Sequence, residues 1–208
     1  MGVIYQVSAS IASVVAKTIF SFRAFGVENI PLEGGCLVAM NHESYLDPPL
    51  AGISAPRELF FLARKSLLKW PVVGRILPSL NVIPVDQERA DMSALKTLIK
   101  HIRAGEGTVI FPEGSRTPDG TLQPAQPGAG LVIAKTRCPV IPARIFGARA
   151  AFPRGGRPRP FRPIKLVFES PMQFAESDFE GEGRELYQRL SNRVMERIAQ
   201  IQLPDPGQ

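Results

Sequence analysis

His42 and Asp47 stand five residues apart in the run Asn41-His42-Glu43-Ser44-Tyr45-Leu46-Asp47. An imidazole whose far nitrogen is bonded to a carboxylate is held in one tautomer and serves as a general base. It takes the proton of a hydroxyl without needing a covalent serine. On a continuous helix, five residues would splay the two side chains about 140° apart, since each residue turns about 100°. They meet only if the chain turns between them, and Pro48 favours that by keeping the residue before it out of the helical region. The same residues also fit a plainer arrangement: a histidine at a strand end and an Asp47 that merely caps the next helix, with Pro48 in its first turn.

A second group is the loop Phe111-Pro112-Glu113-Gly114-Ser115-Arg116-Thr117. A glycine that lets backbone amides approach, a hydroxyl and an arginine together suit a phosphate or carboxylate. Arg89, after Val82-Ile83-Pro84-Val85-Asp86, is a further anion contact to be tested. Other chemistries lack their residues. No GxxxxGK[ST] phosphate loop is present, Gly105-Glu106-Gly107 precedes a strand instead of a helix, and Gly52-Ile53-Ser54-Ala55-Pro56 lacks the second glycine of a nucleophile elbow. Cys36 and Cys138 lie far apart in apolar runs, so they read as buried free thiols, and no metal site is expected. The second of the two histidines, His101, reads as a partly exposed helix residue.

The elements that must carry these groups alternate. Strands are expected at 36–40, 58–63, 82–85, 108–111, 139–146 and 164–169. Helices are expected at 47–54, 65–77 (broken at Pro71), 91–104 with Asp91 as its cap, 128–136 and 182–201. Pro153–Pro163 is a basic, proline-rich loop. Such alternation predicts an α/β fold with a mostly parallel mixed sheet flanked by helices, its function at loops that follow strand ends.

With 208 residues, 44% hydrophobic and 21% charged, the chain is long enough for one well-packed domain. The +6 formal charge favours anionic partners. Sparse aromatics, with no basic run interleaved with stacking residues, argue against nucleic acid. Residues 1–16 carry no charge, yet the run is too short and too serine-rich for a span of about 20 apolar residues, and it lacks a basic leader. Read as a helix, it sets Ile4, Val7, Ile11, Val14, Val15, Ile19 and Phe22 on one side and Gln6, Ser10, Ser13, Lys17 and Ser21 on the other. That stripe either packs on its own domain or lies in a membrane interface, where Lys17 and Arg23 suit anionic headgroups.

Taken in order, Asn41-His42-x4-Asp47, Val82–Asp86, Phe111–Arg116 and Cys138-Pro139-Val140-Ile141-Pro142 resemble the four blocks of the glycerolipid acyltransferase family, in particular its 1-acyl-glycerol-3-phosphate acyltransferase branch. The resemblance spans roughly residues 25–170. It implies His42 as the general base and Asp47 as the carboxylate that orients it, with attack of the freed hydroxyl on an acyl thioester. It assigns the acceptor phosphate to Glu113, Gly114, Ser115 and Arg116, and the apolar acyl region to residues 139–142. No cofactor is implied beyond the co-substrate, acyl-CoA or acyl carrier protein. The acceptor would be a lysophospholipid, lysophosphatidic acid first, with glycerol 3-phosphate or another lysolipid as alternatives. The setting would be the cytoplasmic face of an anionic membrane, in phospholipid biosynthesis, with the protein peripheral or monotopic. A non-catalytic membrane-binding module is the reading from another class. The implied organisation is an amphipathic membrane-associating helix at 1–24, an acyltransferase domain at 25–203 and a frayed tail at 204–208. Two departures from the family pattern stand out: Gln87 occupies a position where the family commonly has arginine, and Ser115 one where threonine is more frequent.

Overall fold

The computed structural model describes residues 3–65, 81–85 and 92–204. Asp86–Arg89, the Asp91 cap, most of the helix expected after Lys65 and the end of the tail lie outside the described residues. Among those described, strands β1 (Arg23–Phe25), β2 (Cys36–Met40), β3 (Leu59–Arg64), β4 (Val82–Val85), β5 (Gly107–Ile110), β6 (Val140–Phe146) and β7 (Lys165–Phe168) form one seven-stranded sheet. Its order is β1-β7-β6-β2-β5-β3-β4. All neighbours are parallel except β6 and β7, so β1 and β7 run against the other five strands. The expected mostly parallel mixed sheet is therefore present. Pro84 is accommodated because β4 is an edge strand.

β2 is central, and all five of its residues are buried. Cys36, Val38 and Met40 point into one apolar cluster, Leu37 and Ala39 into the other. A strand buried on both faces reads as a continuous apolar run, which is why Cys36–Met40 shows no polar alternation. The first face is covered by α1 (Val3–Phe20) and α2 (Asp47–Ser54), the second by α3 (Met92–Arg103), α4 (Pro127–Thr136) and α6 (Gly183–Gln200). A single-turn helix, α5 (Ala148–Ala151), follows β6. α4 and α6 meet at Gly130, where a Cβ would fall 1.8 Å from the Tyr187 carbonyl oxygen. The Gly130 amide, in the first turn of α4, donates to Ser191 Oγ at 2.7 Å and ties the two helices together.

Two features differ from the expectation. β1 was not foreseen, since a three-residue strand has too little pattern to register. α1 is rotated: it buries Ala16 and Phe20, whereas Ile11, Val14 and Val15 of the apolar stripe face outward. The helix also ends at Phe20, with Ser21 at φ 44°, so Phe22 reaches the core from beyond it. Small residues let α1 approach the domain closely, and the larger apolar side chains are left exposed.

Candidate active site

The site is built at the carboxyl end of β2. Asn41, 2% exposed, places its side-chain amide against the backbone of Ile145: Oδ1 accepts from the Ile145 amide at 2.8 Å and Nδ2 donates to its carbonyl at 3.1 Å. The side chain thus copies a peptide group and extends the β2–β6 ladder by one rung, freeing the main chain to turn at His42. Residues 41–46 make that turn, and Asp47 arrives as the first residue of α2.

The turn brings His42 and Asp47 together. His42 Nδ1 and Asp47 Oδ2 are 2.8 Å apart, and the same oxygen accepts the amides of Glu43 at 2.6 Å and Ser44 at 2.7 Å. Asp47 is fully buried, and its Oδ1 has no hydrogen-bond partner. A carboxylate oxygen that takes two backbone N–H groups also takes N–H from the ring, which assigns the proton to Nδ1 and leaves Nε2 with a lone pair. The imidazole lies against Phe111, ring centroids 3.9 Å apart, so it is held from its flat side as well. Asp47 is not the helix cap: the N-cap position is Leu46, no side-chain cap bond is made, and the aspartate points back toward His42.

The 111–117 loop is docked on the histidine. The Thr117 amide donates to the His42 carbonyl at 2.8 Å, and the His42 amide donates to Glu113 Oε1 at 2.7 Å. The other carboxylate oxygen, Oε2, accepts from the Gln123 amide at 2.9 Å. Both oxygens of Glu113 are thus engaged by backbone donors. Burial, reinforced by the nearby Asp47 charge, raises its pKa against those two bonds. Gly114 takes a left-handed φ of 72°, which turns the loop, and Ser115 is exposed. Arg116 is 7% exposed, its guanidinium 3.5 Å from the centroid of the Tyr45 ring. Nη1 has no hydrogen-bond partner, and the side chain forms no ion pair among the described residues. A buried, permanently charged arginine with an unused donor is costly unless an anion completes it. Arg89 lies outside the described residues. Residues 139–142 enter β6, where Val140 and Ile141 are wholly buried and build the sheet.

The geometry adds residues whose roles the sequence did not disclose. Tyr45 is the platform under Arg116, and Phe111 is the wall behind His42. Glu43 is a half-buried carboxylate on the same turn as Asp47, accepting the Arg149 amide at 3.0 Å. Burial pushes its pKa up to about 7, with the charges of Asp47 and Glu113 adding to the shift and the Arg149 amide opposing it. Protonated Glu43 therefore stabilises the folded chain fully below about pH 4.5, its unfolded value, and that contribution is lost as the pH rises to about 7. Glu43→Gln, which keeps the neutral form at every pH, flattens the fall of Tm between those limits; a melting series in which variant and wild type slope alike contradicts the assignment.

The family model for acyltransferases matches residues 21–146, more than half of the chain. The chain is 27% identical over 176 residues to the 1-acyl-sn-glycerol-3-phosphate acyltransferase of Bacillus subtilis, covering 83% of this chain and 84% of that one. It is 30% identical over 185 residues to the enzyme of that name from Pseudomonas aeruginosa, covering 86% and 70%. The crystal structure of the 1-acyl-sn-glycerophosphate (LPA) acyltransferase from Thermotoga maritima superposes with a TM-score of 0.69 at 25% identity, over 97% of this chain and 80% of that one. With a histidine–aspartate pair and a buried arginine gathered at one strand end, the chain belongs to the glycerolipid acyltransferase family.

Proposed function

We propose that this acyltransferase moves a fatty acyl group from acyl-CoA or acyl carrier protein to the free sn-2 hydroxyl of lysophosphatidic acid, giving phosphatidic acid. The observation that carries the reading is the buried Arg116, whose Nη1 has no hydrogen-bond partner among the described residues, on the loop that is hydrogen-bonded to His42. A base that faces a hydroxyl needs, a few ångströms away, a place for that acceptor's phosphate.

His42 Nε2 takes the hydroxyl proton while Asp47 holds the ring and balances the imidazolium charge. The alkoxide oxygen attacks the thioester carbonyl, the new C–O bond forms, and the C–S bond breaks. The proton on Nε2 then passes to the departing thiolate, so the base is restored without a covalent enzyme intermediate. Positioning two bound substrates supplies much of the acceleration. In this scheme Arg116, the exposed Ser115 and the amides beside Gly114 bind phosphate. Glu113, its two oxygens already engaged, fixes the loop to the histidine instead of meeting a like-charged ligand. The acceptor is a membrane lipid and the donors are cytoplasmic, which places the protein peripherally on that face of the membrane. Among the described residues no helix is long and apolar enough to cross it.

Incubating the protein with labelled acyl thioester and a panel of lysolipids and glycerol 3-phosphate, then identifying the product, tests class and acceptor together. Lysophosphatidic acid is the expected substrate; labelling only of glycerol 3-phosphate or of a neutral-headgroup lysolipid contradicts the proposal. Arg116→Ala raises the KM for the phosphorylated acceptor roughly 10- to 100-fold, the loss of a charge-assisted hydrogen bond, and changes kcat little. The variant also loses the stacking contact with Tyr45, so Tm falls modestly, and a thermal melt separates that loss from the change in KM. An unchanged KM removes Arg116 from the phosphate site.

A further inference from the structure

Phe161 is 79% exposed and sits at φ 59°, a left-handed conformation that a bulky residue rarely adopts. It is held there from one side: its amide donates to the carbonyl of Ile19 at 2.8 Å, and the Ile164 amide donates to that of Phe20 at 3.0 Å. The loop thereby satisfies two of the carbonyls that the end of α1 leaves unpaired, and joins itself to that helix. On α1, Ile11 and Val14 are 61% and 62% exposed, with Val15 beside them. Around Phe161 stand the exposed Arg154, Arg157, Arg159 and Arg162, with no acidic residue from Pro153 to Lys165. Among the described residues Arg157, Arg159 and Arg162 form no ion pair.

The sheet register locates this surface. Arg23 pairs with Lys165, Lys165 with Phe146, and Met40 with Ala143. The starts of β1 and β7 therefore lie at the sheet edge to which β2 delivers His42. Phe161, the arginines of its loop and the end of α1 therefore share one end of the molecule with the catalytic edge, and the outward apolar face of α1 leads back from there.

We propose that the 153–163 loop is a second lipid anchor: Phe161 inserts into an anionic bilayer interface beside the outward face of α1, and Arg157, Arg159 and Arg162 meet the headgroups. The inference rests on the acyl-transfer reading for its purpose, since it holds the catalytic edge against the surface where the acceptor lies. Charge alone also suits an acidic carrier protein. The exposed apolar stripe of α1, continuous with the loop through the Ile19 bond, favours lipid.

The test is co-sedimentation of the full chain with vesicles rich in phosphatidylglycerol and with vesicles of phosphatidylcholine alone, alongside turnover of a short-chain, monomeric lysophosphatidic acid. Phe161→Ser lowers partitioning onto the anionic vesicles on the order of tenfold. The combined Arg157→Ala, Arg159→Ala and Arg162→Ala variant lowers it about a hundredfold, to the level seen on phosphatidylcholine. Both variants keep wild-type turnover of the monomeric acceptor and lose turnover of the vesicle-embedded one in step with binding. Equal partitioning of variants and wild type overturns the anchor. So does a wild type that ignores anionic vesicles, or variants whose only loss is binding to acyl carrier protein or to a second copy of the chain. If the wild type turns over no lysolipid at all, the acyl-transfer reading fails while the partition data still decide the anchor.

Discussion

His42→Ala lowers kcat for acyl transfer by about 10²- to 10⁴-fold, the contribution of a positioned general base, with both KM values near wild type. The geometry gives the reason for the split. Nε2 is the one ring position without a partner among the described residues, whereas Nδ1 is committed to Asp47. The acceptor phosphate is assigned to Arg116, which the substitution does not touch. The fold tolerates the change, because Asp47 Oδ2 keeps the Glu43 and Ser44 amides and the backbone bonds of His42 to Glu113 and Thr117 remain. His42→Gln, which retains an N–H toward Asp47 but no base, loses the same factor. Steady-state kinetics beside a thermal melt checks this. Turnover within a few-fold of wild type in either variant excludes His42 as the base, and a folded wild type without turnover returns the chain to the class of non-catalytic membrane modules.

The molecule carries an internal control on how much the spacing could tell. His101 and Glu106 are also five residues apart, and His101 Nδ1 is also bonded to its carboxylate. His101 lies in the last turn of α3 and Glu106 immediately precedes β5, at the opposite edge of the sheet. His101 is stacked on Phe60 with centroids 4.1 Å apart, and its carboxylate partner is 39% exposed. Among the described residues no buried cation faces it and no backbone amide donates to its acid, so it tethers a helix end. A histidine five residues before a carboxylate is therefore weak evidence alone. What separates the two is the strand that delivers His42 and the loop that docks on it, and those were legible as the ordered family blocks.

Other parts were not legible for physical reasons. Every strand of five residues or more left a trace in the apolar pattern, most plainly β2, which is buried on both faces; β1, with three, did not. The α1 stripe was visible, but periodicity gives a face without saying which way it points. Close packing through Ala16 beat the gain from burying Val14. The cradle of Arg116 depends on Tyr45, which approaches it only because residues 41–46 turn. The carboxylate of Glu113, which the family blocks assign to the acceptor site, also ties its loop to the amides of His42 and Gln123. No linear pattern reports on a partner that distant in the chain.

Asp47 is where the site and the fold are tied together. Asp47→Asn and Asp47→Ala should differ in kind. Asparagine can present its carbonyl oxygen to His42 Nδ1 and the two amides, and set its NH2 where the unpartnered Oδ1 lies, so orientation survives and only the charge is lost. The expected result is a kcat reduced on the order of 100-fold or more, since the imidazolium formed at the transition state loses its counter-charge, with Tm little changed. Alanine leaves three donors unpaired in a fully buried place, Nδ1–H of His42 and the amides of Glu43 and Ser44. Each such group costs roughly 1–3 kcal/mol, so Tm drops by several degrees as well. The turn that presents His42 loosens with it, and turnover falls to the level of His42→Ala. Combining Asp47→Ala with His42→Ala then removes no further activity, because the aspartate acts only through the histidine. A double variant clearly slower than either single one would give Asp47 a catalytic part of its own.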